Sequence, residues 1–305
     1  MMKKAWKKYD GPLHPGMHIR GKWNGHRYFI KRKLGQGSIG TVYLCVRNGH
    51  EVALKISDKT ASITTEINVL KRLNQVQEKR LGPDLLDADD WISPRGITYY
   101  FYVMEYVQGE SINAFLKRRG YEWVGVFMLQ LLGDLQKLHE TGWVFGDLKV
   151  ENLIVTSPTP RIRWIDVGGT TQMGRAVKEY TEFYDRGYWG LGTRRAEASY
   201  DLFSLAMVFL RIFDPKPFER KKDVLYHISR RLHDIPSLKL YKSCLKKALM
   251  GKYASSAQMK QDIETVIHNE NKKKEQRKNR TPFIVESIGL FILAFIYYLS
   301  SLFLP

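Results

Sequence analysis

The chain has 305 residues, enough for one large two-lobed domain with an appendage, and its 44% hydrophobic content is that of a globular protein. Its two cysteines, Cys45 and Cys244, lie far apart without metal-ligand spacing, which excludes a disulfide scaffold and fits buried, reduced thiols in a cytosolic domain. The formal net charge of +18 is clustered, which points to a polyanionic partner, nucleic acid or an anionic membrane surface, although a solubilising surface would use the same residues.

The first cluster is Lys3, Lys4, Lys7, Lys8, Arg20, Lys22, Arg27 and Lys31–Lys33. The second runs through Lys216, Arg220, Lys221, Lys222, Arg230 and Arg231, and the third comprises Lys272–Lys274, Arg277, Lys278 and Arg280. Residues 1–25 contain no apolar stretch that could serve as a signal peptide, so they are expected to form a basic, weakly ordered arm. From Tyr28 the pattern becomes periodic. Tyr28–Leu34, Thr41–Arg47 and Glu51–Ser57 read as strands, the last two joined by an Asn48-Gly49 hairpin turn. Between the first two lies Gly35-Gln-Gly37-Ser-Ile-Gly40. A glycine-rich turn between antiparallel strands lets backbone N–H groups approach phosphates without a Cβ in the way. Because a strand follows it and not a helix, a Rossmann dinucleotide site is disfavoured.

Lys55 alternates into the apolar strand Val52–Ile56, where a buried ammonium is costly unless it meets an anion. Glu66, on the helical run Thr64–Leu73, is the candidate partner. Tyr99–Val107 reads as a further strand, Ser111–Arg119 as a short helix and Trp123–Thr141 as a long apolar helix at the core of a second lobe. That helix leads into Val144–Val155, where Asp147, Lys149 and Asn152 stand in an apolar frame. In isolation such a stretch could be a polar turn. Equally, a carboxylate five residues before a carboxamide suits a loop in which one group handles a proton and the other a metal. Downstream, Trp164-Ile165-Asp166 delivers a carboxylate onto the flexible Val167-Gly168-Gly169 turn, as a metal ligand requires.

Together these pieces resemble the Hanks-type protein kinases over about residues 26–268. The resemblance implies an α+β fold with a small β-rich N-lobe, a larger helical C-lobe, and ATP with Mg2+ or Mn2+ in the cleft between them. It assigns nucleotide binding to Leu34, Gly35, Gly37, Gly40, Val42, Ala53, Lys55, Glu66, Glu105 and Val107, with Met104 as gatekeeper of the hinge. Asn152 and Asp166 become metal ligands, Asp147 the group that accepts the proton of an attacking hydroxyl, and Lys149 the cation that steadies the transferring phosphoryl group. Asp201, in Tyr200–Leu210, matches the buried helix that anchors the catalytic loop.

Three departures stand out. Phe145-Gly146 replaces the His-Arg that usually precedes the catalytic aspartate, so a phosphorylated activation segment lacks its usual counter-charge and activity is expected not to depend on it. The family's Ala-Pro-Glu falls on Gly187-Tyr188-Trp189, and the arginine that normally pairs with that glutamate falls on Tyr253. Loss of one partner would strand a buried charge at about 3–5 kcal/mol, whereas loss of both need not, which favours a repacked, working lobe. Thr170, Thr171, Thr181 and Thr193 lie in the expected activation segment and are candidate autophosphorylation sites.

Ser287–Pro305 carries no charge, and as a helix it would span roughly 28 Å, near the thickness of a bilayer core. With a polybasic linker at 269–282 before it, residues 283–305 are expected to form a tail anchor that keeps the kinase domain (26–268) on the cytoplasmic side. This arrangement resembles tail-anchored kinases of spore-forming bacteria. The expected activity is transfer of the ATP γ-phosphate to serine or threonine hydroxyls of protein substrates, including a second copy of the chain. DNA, bound without sequence preference, or anionic lipid would act through the basic clusters. Two alternatives stand beside it: a small-molecule kinase of the aminoglycoside or lipopolysaccharide-sugar type, and a DNA-binding module with a kinase fold.

Overall fold

The computed structural model describes residues 11–37, 39–75, 81–216 and 222–303; side chains are described to 276 and at 290–293 in the last helix. Lys3, Lys4, Lys7, Lys8, Arg220 and Lys221 lie outside the described residues.

The chain opens with β1 (His18–Arg20), β2 (Arg27–Gln36), β3 (Thr41–Arg47) and β4 (His50–Ser57), then α1 (Thr60–Gln75), β5 (Leu85–Ile92) and β6 (Thr98–Glu105). The six strands form one antiparallel sheet in the order β1-β2-β3-β4-β6-β5. Alternation splits each strand between two faces. Ile30, Cys45, Val52, Leu54, Phe101 and Val103 build a small core on one face, while Ala53, Tyr102 and Met104 turn to the other, where α1 packs. Residues 11–25 were expected to be a weakly ordered arm, and from Gly11 onward they are not. Leu13 and Ile19 are buried in the small core, β1 pairs with β2, and the Trp23 and Asn24 amides donate to Asp89 at 2.9 and 2.8 Å. Scattered apolar residues in a basic stretch gave no periodic signal, yet each plugs a position on the outer face of the sheet.

The second part is mainly helical. After β7 (Glu110–Ser111) come α2 (Ile112–Arg119), capped by the Ser111 hydroxyl on the Ala114 amide, and α3 (Trp123–Glu140). In α3 the buried stripe is Val124, Phe127, Met128, Leu131, Leu132, Leu135 and Leu138, while Val126 is exposed and Leu129 half-buried. That i, i+3, i+4 spacing sets the helix against the core, each large side chain contributing about 1.5–3 kcal/mol of apolar burial. Then follow β8 (Trp143–Val144), β9 (Leu153–Thr156), β10 (Arg161–Trp164), β11 (Thr171–Gln172), α4 (Arg186–Trp189), α5 (Ala198–Phe213), α6 (Val224–Asp234), α7 (Lys242–Leu249) and α8 (Ser256–Phe303). Short strand pairs β7–β9–β10 and β8–β11 pin the loops between α3 and α5. Helix α5 is buried on nearly every side, as a central core helix must be.

Expected and observed elements agree within a few residues, α1 being longer at both ends than Thr64–Leu73. Helix α8 is continuous over 48 residues, with Met259 and Ile263 buried and Lys272–Lys274 exposed. Most of the expected tail anchor lies outside the residues whose side chains are described. Among the described residues no helix is long and apolar enough to cross a membrane.

Candidate active site

The site lies where the first sheet, α1 and the loops after α3 and β10 converge. In β2 and β3, Gly35 pairs with Val42, and the Gly37 amide donates to the Gly40 carbonyl at 2.9 Å, which closes the turn. Gly35 and Gly37 face open space where a Cβ would stand, whereas a Cβ on Gly40 would collide with the Ile56 carbonyl oxygen. The first two glycines therefore leave room for a ligand, and the third lets two strands approach. Leu34 and Val42 are half-buried against the cluster that contains Ala53 and Met104, and Val107 is buried just beyond β6, so an apolar shelf runs to the hinge. The Glu105 carboxylate is engaged by Arg163 at 2.6 and 2.9 Å.

Lys55, on β4, is 4% exposed and lies opposite Tyr102 of β6 in the strand register. Its ammonium reaches Glu66 of α1 at 2.8 and 2.9 Å and Asp166 at 3.4 Å. Burial by itself would lower the Lys55 pKa, but the carboxylates of Asp166 and Glu66 outweigh it and hold the ammonium above its ordinary value. A charge sequestered with two anions in this way costs a great deal to strip of its partners. Glu66 is held from a second side by the Tyr102 hydroxyl, 2.6 Å away. Tyr102 was not among the expected site residues; the signal for it was its place opposite Lys55, visible only once the register is known.

Asp147, Lys149 and Asn152 occupy one loop, as the sequence suggested. Asp201, wholly buried in α5, accepts from the amides of Phe145 and Gly146 at 2.7 and 2.9 Å and meets His139 Nε2 at 2.9 Å. One carboxylate thus fixes the two residues before Asp147. The Phe145-Gly146 departure has a physical basis here. Gly146 has φ +79°, and the Gly169 carbonyl oxygen occupies the space a Cβ would need, so glycine suits this position and a side chain is strained. Phe145 is buried against Trp164, ring centroids 4.6 Å apart. Lys149 is ion-paired with Asp147, and the Thr181 hydroxyl donates to Asp147 Oδ1 at 3.0 Å and lies 3.3 Å from Lys149 Nζ. Asn152 donates its amide N–H to the Asp147 carbonyl at 3.0 Å, which leaves the amide oxygen as its group for a cation.

These groups share one cleft of about 550 Å³ that includes Gly37, Lys55, Asp147, Lys149, Asn152 and Asp166. Glu179, half-buried, also lines it, its carboxyl pushed up first by burial and then by the nearby Glu66 charge. Nothing in its sequence context marked it. Among the described residues no group of three or more His, Cys, Asp or Glu could hold a metal ion unaided. An aspartate and a carboxamide do fit a hard divalent cation that takes its remaining oxygens from water and substrate phosphates.

The candidate phosphosites separate. Thr170 and Thr171 are 3% and 2% exposed, hence inaccessible in this conformation, and Thr181 is tied to Asp147; Thr193 is exposed. The missing glutamate–arginine pair is replaced locally. Asp185, fully buried, caps α4 and accepts from Arg194 Nε at 2.7 Å and the Tyr200 hydroxyl at 3.0 Å. Arg186 pairs with Glu197, Trp189 fills the core, and the buried Tyr253 donates its hydroxyl to Asp262 at 2.8 Å. No charge is stranded in this network.

Comparison with known proteins gives a consistent picture. The protein kinase domain family matches residues 28–280. The chain is similar to the serine/threonine-protein kinase YabT of Bacillus subtilis, 47% identical over 264 residues that cover 86% of this chain and 78% of that one. It is also similar to two fission-yeast (Schizosaccharomyces pombe) proteins. One is the serine/threonine-protein kinase ppk25, 29% identical over 52% of this chain and 37% of its own length. The other is the sporulation protein kinase mde3, 27% identical over 63% of this chain and 38% of its own length.

Proposed function

The chain belongs to the protein kinase family, and from that premise we propose that it transfers the γ-phosphoryl group of ATP to serine and threonine hydroxyls of protein substrates through the Lys55–Glu66–Asp147–Asn152–Asp166 set. The observation that carries the reading is the intact Lys55–Glu66 pair with Asp166 and Asp147 in the same cleft. Phosphoryl transfer spreads negative charge over oxygens, so what a site must supply is cations and dipoles already in position.

In this reading Lys55 binds the α- and β-phosphates, and the open turn at Gly35 and Gly37 covers the phosphate chain with backbone amides. Leu34, Val42, Ala53 and Val107 enclose the base, with the backbone of Glu105 and Val107 at its edge. Asp166 and the amide oxygen of Asn152 would hold Mg2+, which supplies charge neutralisation at the phosphates. Asp147 orients the incoming hydroxyl and takes its proton as the oxygen bonds to phosphorus and ADP leaves. Lys149, braced by Thr181, faces the transferring group. Serine/threonine preference is supported by the similarity to a Bacillus subtilis serine/threonine-protein kinase.

Further features extend the proposal. The uncharged Ser287–Pro305 run after exposed Lys272–Lys274 supports a tail anchor with the kinase domain on the cytoplasmic side. The net charge of +18 supports docking on non-specific DNA or anionic lipid, either of which would concentrate copies for phosphorylation of one by another. Incubation with labelled ATP and Mg2+ tests the central claim. Label should appear on the protein or on a generic protein substrate and vanish with Asp147→Asn; equal label in both would overturn it. Salt-dependent retention on DNA, compared with retention on anionic vesicles, separates the two docking partners.

A further inference from the structure

A second cleft of about 650 Å³ opens between α1 and the segment that follows Asp166-Val167-Gly168. Lys71 and Arg72 enter it from α1, Arg175 and Lys178 from the segment. All four are exposed, and no carboxylate is among the described residues that line the cleft. Its floor is built. Thr171 and Gln172 pair in register with Val144 and Trp143, the Met173 amide donates to the Gly142 carbonyl at 2.9 Å, and Arg72 lies over the Trp143 ring at 5.5 Å.

Thr170 supplies an independent observation. Its side chain is 3% exposed and lines this cleft, and its hydroxyl has no hydrogen-bond partner. Buried hydroxyls are satisfied in the great majority of cases, so an orphaned one on a residue that lines a cleft with four cations is a donor in want of an acceptor. Four like charges gathered with no counter-ion among the described residues repel one another unless an anion joins them.

We propose that this cleft is a binding site for a phosphomonoester dianion, held by Lys71, Arg72, Arg175 and Lys178 with a hydrogen bond from the Thr170 hydroxyl. Four cations and one neutral donor lining a single cleft match a compact dianion better than the spaced monoanions of a nucleic-acid backbone. The volume exceeds that of a phosphate, which leaves room for an organic body beside the Trp143 ring. The exposed Thr193 is not among the residues that line the cleft, and with Thr170 and Thr171 buried and Thr181 tied to Asp147 the ligand comes from outside the segment. It is either a free phosphate compound or a phosphorylated side chain of another molecule. Because Lys71 and Arg72 share α1 with Glu66, the bound dianion would draw α1 to the segment and hold Glu66 at Lys55. That effect on catalysis rests on the phosphotransfer reading; the binding does not.

The test uses the full chain in detergent, with the catalytic cleft filled by a non-hydrolysable ATP analogue and Mg2+, titrated calorimetrically with inorganic phosphate at constant ionic strength. Saturable binding at one site is expected. Arg72→Gln or Arg175→Gln should each weaken it about tenfold, as loss of one charge-assisted contact does. Thr170→Val should weaken it by about threefold, and the exposed control Lys117→Gln should leave it unchanged. Phenyl phosphate and a phosphothreonine peptide then distinguish the sources, the tighter of the two naming the class. Absence of saturation, or equal binding by every variant, would overturn the proposal. So would a short DNA duplex whose binding needs these residues while inorganic phosphate does not bind. Binding is read without turnover, so failure here leaves the phosphotransfer reading standing.

Discussion

Tyr102 donates its hydroxyl to Glu66 Oε2 at 2.6 Å, while Lys55 holds the same carboxylate from the other side at 2.8 and 2.9 Å. All three side chains are buried, so the carboxylate that holds the Lys55 ammonium is itself clamped by residues of two strands. In Tyr102→Phe the ring still fills its place, but Glu66 Oε2 keeps only Lys55 of its two donors, at a cost of about 1 kcal/mol. Steady-state kinetics should show KM for ATP raised roughly three- to tenfold with a smaller change in kcat. Kinetics identical to wild type would show that Tyr102 is packing alone.

Thr181 touches both members of the Asp147–Lys149 pair. Thr181→Val should lower kcat by about 10- to 100-fold, and Thr181→Ser, which keeps the hydroxyl, should stay near wild type. Similar rates for Ser and Val would reduce Thr181 to a structural residue.

Gly146 has φ +79° and faces the Gly169 carbonyl. A Cβ there should destabilise the folded state by about 1–3 kcal/mol, lowering the melting temperature of Gly146→Ala by several degrees. Gly146→Arg, which restores the residue usual in the family, should be no more stable than Gly146→Ala. A stabilised arginine variant would contradict this account of the Phe145-Gly146 departure.

Burial pushes the Cys45 thiol up to about 12, and burial likewise raises Cys244. Neither is a thiolate at pH 8, so the native protein should resist iodoacetamide. Both cysteines should label once urea unfolds the chain, and rapid labelling of Cys45 in the native state would show that the small core opens.

A hydrogen bond from Arg186 holds the Glu197 carboxyl below its ordinary value. A lowered carboxylate pKa stabilises the fold above the unfolded value and loses that contribution as pH falls through the folded one. Glu197→Gln should therefore be less stable than wild type at pH 7, by under about 1 kcal/mol because Glu197 is half exposed. Chemical denaturation should show the difference shrinking as pH drops through the acidic range. A constant difference would mean that the ion pair is not its cause.

The linear order of glycine turn, strand lysine, helical glutamate and polar loop made the two-part architecture readable. Alternation in β3, β4 and β6 and the 3.6-residue period of α3 placed the strands and the long helix within a few residues of where they lie. The stretch 11–25 escaped because its anchors, Leu13, Ile19 and the amides of Trp23 and Asn24, are isolated and meet partners on strands far along the chain. Thr170, Thr171 and Thr181 looked alike as hydroxyls in one segment, and only packing made two of them buried and one a brace for Asp147.

By itself the sequence determined which chemical groups the site could contain and which type of element would carry each, because periodicity and turn chemistry act between near neighbours. Tertiary structure alone decided that Tyr102 clamps Glu66, that Asp201 fixes the Phe145 and Gly146 amides, and that four cations line the same cleft as an orphaned Thr170 hydroxyl. Those partners are up to 99 residues apart along the chain, from Lys71 to Thr170, and their meeting depends on strand register and helix packing, which no local pattern records.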